Sequence, residues 1–211
     1  MLPAGSGVQE TMKGASMPND ARIHLLARVA RSAASGTSGP VPDSVKPLSI
    51  LSLAATAYGS RPSEDATVPT GFDPLAVVLF EAIVEGAFLV ANSDGVFDAD
   101  ERKIFETVVV AACGGAVGSH QITALVGDLT DQLEEDGLDQ RIEVMTGVVT
   151  RKDHAQEVLR IAGLVALSSE DVIAVERATL EKLATRWNLG EGAVDAALSD
   201  VRGALAEAAT A

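Results

Sequence analysis

From Asp73 onward apolar residues recur at helical spacing, separated by capping and turn residues. Asp73-Pro74 reads as an N-cap followed by proline at the first helical position. Leu75, Val78, Leu79, Ala82, Ile83, Leu89 and Val90 then hold one face up to the turn Asn92-Ser93-Asp94-Gly95. Asp98 with Glu101 three residues on forms a capping-box pattern opening a second helix, whose Ile104, Phe105, Val108 and Val109 continue until Gly114-Gly115. Further helices are predicted from Ser119 to about Glu135, Leu138 to Val149, Asp153 to Leu167, Val172 to Trp187 and Glu191 to Ala208. No segment combines strand alternation with turn chemistry. The pattern therefore predicts an all-α domain of about seven helices over residues 72–211.

Residues 1–71 carry a different pattern. Gly, Pro, Ser and Thr dominate 1–20 and 32–71, which reads as a flexible arm with two apolar islands. One is a short helix, Ala21 to Arg31, capped by Asn19 or Asp20; the other is Leu48 to Ala55, bounded by Pro47 and the Gly59–Pro62 break. Such islands dock either on their own domain or on another protein, and Ile23, Leu26, Ile50 and Leu53 are the candidate partner-binding residues.

The domain also matches itself. With a shift of seventy-five residues, Ala87, Leu89, Val90, Ala91, Ser93, Glu101, Arg102 and Glu106 fall on Ala162, Leu164, Val165, Ala166, Ser168, Glu176, Arg177 and Glu181, without a gap. Ile83 pairs with Val158, Phe97 with Val172 and Phe105 with Leu180. This is the signature of a duplicated helix–turn–helix unit. Only the first copy keeps the acidic turn: Asp94-Gly95 becomes Ser169-Glu170, and Asp98 and Asp100 become Ile173 and Val175.

Charge sharpens this picture. Six Lys/Arg and five Asp/Glu in residues 1–72 leave ten against twenty-five beyond Phe72, so the helical domain carries −15 of a chain total of −14. A field of that sign repels nucleic-acid phosphates and attracts cations and basic protein surfaces. One Trp, one Tyr and five Phe leave the core mostly to Ala, Val, Leu and Ile. Cys113, the single cysteine, sits in an apolar run and reads as buried packing. The first 25 residues lack a secretory h-region, and the apolar stretch Leu75–Val90 is interrupted by Glu81 and Glu85, so a cytoplasmic protein without membrane insertion is expected.

The carboxylates are the candidate chemistry. Glu81, Glu85 and Asn92 share a helical stripe that leads toward Asp94. With Asp98 and Glu101 these oxygens suit a hard cation, a weak Ca²⁺ or Mg²⁺ site, better than zinc. In an EF-hand register with Gly95 at position six, the first ligand position is Val90, which has no side-chain donor, so tight calcium binding is not expected. The competing reading is a solvated face with capping chemistry. No nucleophile–base arrangement, phosphate-cradling loop or dinucleotide fingerprint is present, and an enzyme is not expected.

The run Ala91-Asn92-Ser93-Asp94-Gly95-Val96-Phe97-Asp98-Ala99-Asp100-Glu101-Arg102, repeated in weakened form downstream, resembles the signature of the TerB-like tellurite-resistance family. The resemblance covers about residues 75–205. It implies a non-enzymatic stress-response module that binds metal through acidic residues, here Asp94 and Glu101 with Asp98 and Asp100 beside them, and that assembles with membrane-associated or calcium-binding partner proteins. Val96, where the family often has an acidic residue, departs from the pattern. The alternative from a different class is a structural adaptor tethered by its N-terminal arm, with no metal role.

Overall fold

The computed structural model of the chain describes residues 19–33, 48–60, 73–168 and 171–210, which form nine α-helices and no strand. They are α1 (Asn19–Arg31), α2 (Ile50–Gly59), α3 (Pro74–Ala91), α4 (Ala99–Ala112), α5 (Ser119–Asp136), α6 (Leu138–Val148), α7 (Lys152–Ala166), α8 (Ala174–Arg186) and α9 (Ala193–Thr210). The seven helices from α3 to α9 are those expected over residues 72–211. Their starts follow the caps: the Asp73 carboxylate accepts from the Leu75 amide, and Asp98 and Glu101 close a reciprocal capping box.

Helix α3 is the axis of the fold. Every residue from Ala82 to Val90 is buried, and α7, α2 and α6 pack around it, α7 most extensively. Among the described residues α3 is the one helix long and apolar enough to cross a membrane, yet 61% of it is already buried inside the protein. Gly86 makes the α3–α7 crossing possible, because a Cβ there would overlap Cγ1 of Val158, a stiff β-branched side chain in the core.

The duplication is exact in register at the helix ends. α3 stops at Ala91 and α7 at Ala166; α4 starts at Ala99 and α8 at Ala174. The Ser93 and Ser168 amides donate to Val90 and Val165, and Arg102–Glu106 and Arg177–Glu181 form the same i,i+4 ion pair. The repeat also runs one helix further than the matched residues suggest, since α5 (from Ser119) and α9 (from Ala193) follow within one residue of the same shift. Volume breaks the symmetry. Phe88, Phe97 and Phe105 form an edge-to-face triad in the first copy, while their mates are Gly163, Val172 and Leu180, and Gly163 lets Leu198 of α9 close onto α7.

The two apolar islands are helices packed into this same core, the first of the two dockings open to them, so they are not flexible parts of the arm. Leu26, Val29 and Ala30 of α1 and Leu51, Ala54, Ala55 and Tyr58 of α2 are buried in one cluster with α3, α4 and α7. α1 packs on α4 and α9, and α2 on α3. At the end of α2 the backbone meets the α4–α5 turn so closely that a Cβ on Gly59 would overlap the Ala116 carbonyl. A buried ion pair on α7, Glu157–Arg160 at 2.8 Å, ties both helices in. Arg160 donates to the carbonyls of Val29 and Ala30 at the end of α1, and Glu157 accepts from the Leu51 amide at the start of α2. The rest of the expected flexible arm, residues 1–18, 34–47 and 61–71, lies outside the described residues.

Candidate functional site

Where the duplicated hairpins meet, the ends of α3 and α7 and the starts of α4 and α8 enclose a half-open pocket of about 140 Å³. Its walls are Ala91, Phe97, Ile104, Phe105 and Val108 from the first copy and Val165 and Ser168 from the second; Glu101 and Glu176 complete the lining. The two glutamates are repeat mates, each the third residue of its helix. Glu101 accepts from the Asp98 amide at 3.0 Å and Glu176 from the Ile173 amide at 2.9 Å. Ile173 has no polar side chain to return the bond, so the second copy keeps only the glutamate half of the capping box.

Asp94 belongs to the same neighbourhood. It is exposed on the turn after α3, where its Oδ1 accepts from the Val96 amide at 2.9 Å and Gly95 takes φ +79°, which glycine adopts without strain. Burial raises the Glu176 carboxyl above its ordinary value; the Ile173 amide opposes this, and the negative charges of Asp94 and Glu101 add to it. Glu176 therefore feels two carboxylates of the first copy across the junction. Ser93 Oγ, next to Asp94 in the chain, is buried without a hydrogen-bond partner among the described residues.

The other expected ligands are placed elsewhere. Glu85 is buried and ion-paired at 2.7 Å with Arg141 of α6, which also reaches Asp136 at 3.2 Å. Burial holds the Glu85 carboxyl above its ordinary value despite Arg141, with Glu81 and Asp136 adding to the rise. Along a helix seven residues span about 10 Å. Glu85 is that far from Asn92, and Glu81 is one turn further, so neither can share an ion with Asp94. Their common stripe runs along the helix and does not converge on its end. Asp98 caps α4 with one oxygen, Oδ1, which accepts from the Asp100 and Glu101 amides at 2.9 Å, and it does not line the pocket. Among the described residues no three His, Cys, Asp or Glu side chains are close enough to hold a metal ion together.

Of the expected partner residues, Leu26 is 3% exposed and belongs to the core, so it cannot meet a partner while the protein is folded. Ile23 and Ile50 are half-buried against the core, and Leu53 is 60% exposed. Leu53 and Ile50 line a wide groove between α2 and the start of α3, with Leu75, Leu79, Arg151 and His154. Cys113 is buried, which pushes its thiol up to about 12 and makes it a poor nucleophile at neutral pH.

Glu176 is the carboxylate of this pocket that the sequence analysis does not single out. Its signal in the sequence is that it is the repeat mate of Glu101, in a copy that lacks the Asp-Gly turn. Comparison with protein-family models, with curated proteins and with solved structures finds no match in any of the three.

Proposed function

We propose that the protein is a non-enzymatic, TerB-like acidic module of the cytoplasm that acts by assembling with protein partners, and that it takes up a divalent cation weakly at the junction of its two repeats. The observation that carries this reading is that Glu101 and Glu176 line one open pocket and Glu176 also feels the charge of Asp94, although the three do not stand close enough to hold an ion together without moving. Each carboxylate keeps one oxygen on a backbone amide and has a second to offer. With too few ligands to close a coordination shell, the ion keeps several of its waters, which is the habit of Mg²⁺ and of weak Ca²⁺ sites. In this reading Asp94 and Glu101 retain the role expected of them, Glu176 replaces Glu81 and Glu85, and Asp98 serves as a cap. The in-register duplication and the acidic turn at a helix junction support the TerB-like assignment.

Thermal unfolding of the full chain after chelation, with Ca²⁺, Mg²⁺ or Mn²⁺ added back, tests the cation. An ion that binds only the folded protein stabilises it by about 2.7 kcal/mol at a hundredfold excess over Kd. A rise in midpoint that disappears in Asp94→Asn/Glu176→Gln supports the site, whereas a midpoint that ignores every ion sinks it. The adaptor reading is favoured by a separate observation: Leu48, Leu53 and Leu75 are each at least 60% exposed, the last two on the α2–α3 groove. Loss of partner association in Leu53→Asp, with no response to Asp94→Asn, would select it.

A further inference from the structure

We infer that the pocket between the two repeats is a docking site for a basic amphipathic segment of a partner protein, one apolar side chain entering the pocket and a Lys or Arg one helical turn away meeting Glu101 and Glu176. This rests on the assembly reading above and names the surface and the chemistry of the partner. The pocket is sized for a single anchor: about 140 Å³ compares with the roughly 150 Å³ of an apolar cavity that holds benzene. Its walls are apolar and aromatic, with Phe97, Ile104, Phe105 and Val108 on one side and Val165 on the other. Apolar side chains are also exposed on the two helix starts that carry the glutamates. Val96, Ile104, Ile173 and Val175 are between 36% and 56% exposed, four of the ten large hydrophobics exposed among the described residues. Ile104 lines the pocket, and the other three lie within five residues of Glu101 or Glu176 in the chain; single exposed hydrophobics are ordinary, such a concentration is not.

Charge selects the occupant. Asp94, Asp98, Asp100 and Glu101 crowd one side and Glu176 the other, while Arg102 is held by Glu106 and Arg177 by Glu181 and Asp195. Lys103 is the remaining cation in that turn. The mouth is therefore short of positive charge. A second copy of this chain, at −14, would add to it. A partner Lys or Arg would relieve it.

The test uses the full chain, a short synthetic Leu/Lys amphipathic helix as probe, and two controls: the same peptide with Glu for Lys, and with Ala for Leu. Binding is read by fluorescence anisotropy and by amide chemical shifts. The Leu/Lys peptide is expected to bind and to shift amides within 91–108 and 165–176, and each control peptide to bind at least about tenfold more weakly. Ile104→Lys, a change at a partly exposed position, should weaken the Leu/Lys peptide by about the same factor without altering the fold. Absence of binding, equal binding of the Leu→Ala peptide, or indifference to Ile104→Lys overturns the docking site. Shifts confined to the α2–α3 groove overturn it as well and leave the assembly reading standing, and the ion-dependent midpoint of the full chain is unaffected by any of these results.

Discussion

Glu157 and Arg160, one turn apart on α7, are each 4% exposed and bonded to each other, and among the described residues their other hydrogen bonds go to the facing ends of α1 and α2. A buried pair of this kind matters most when half of it is removed, since the survivor is left charged in the core, at a cost of about 3–5 kcal/mol. Arg160→Met should lower the melting temperature by roughly 10 °C. Hydrogen exchange should locate the damage, with protection lost first in α1 and α2. Retained protection in those helices would show that apolar packing alone holds them.

The same network makes removal of residues 1–71 a poor way to isolate a domain. It would expose the core faces of α3, α4 and α7 that α1 and α2 cover. A 72–211 fragment is expected to bind a hydrophobic dye and to melt broadly, in contrast to the full chain. A sharp, native-like transition in the fragment would restore the boundary at residue 72.

Close approach at two glycines gives a test of the packing. Gly86→Ala sets a methyl group against Val158, and Gly59→Ala sets one against the Ala116 carbonyl, with expected losses of about 1–3 kcal/mol or more. Adding Val158→Ala to Gly86→Ala should recover part of the loss, because the two residues compete for one space. Strict additivity would mean that α3 and α7 do not cross there.

How far the fold was legible follows from where its information lies. Helix ends were readable because Asp73, Asp98 with Glu101, and Gly114 act within a few residues of themselves, and the duplication because it preserves register over seventy-five. What escaped needed a partner far along the chain. Glu85 looked like a ligand until Arg141, 56 residues on, claimed it. Leu26 looked like a docking residue because its core neighbours lie on distant helices. Glu176 is legible through its mate Glu101, at a helix start that the second copy keeps although it lacks the Asp-Gly turn.

The Glu85–Arg141 pair should show a pH signature of its own. Arg141→Leu leaves Glu85 buried without its cation, so at pH 7 a loss of about 3 kcal/mol is expected. A buried acid whose folded value lies above its unfolded one favours folding in its protonated form. The penalty should therefore shrink as the pH falls through the raised folded value toward 4.5. Urea unfolding at a series of pH values measures this, and a penalty that stays constant down to the acid limit would mean that Glu85 reaches water once Arg141 is gone.

Glu176 offers the converse experiment, in which removing a charge should help. Its carboxyl is raised by burial and by Asp94 and Glu101, so ionisation at pH 7 works against the fold. Glutamine keeps an oxygen to accept from the Ile173 amide and removes the charge. Glu176→Gln is therefore expected to melt higher than the parent at pH 7, and the difference should close as the pH falls below the folded value, where the parent is protonated too. Adding Asp94→Asn should yield less than the sum of the two separate gains, because both substitutions relieve one repulsion. If Glu176→Gln melts lower at pH 7, the attraction of the α8 amino terminus for a negative charge outweighs the repulsion across the pocket, and the three carboxylates are not the coupled cluster that the cation site requires.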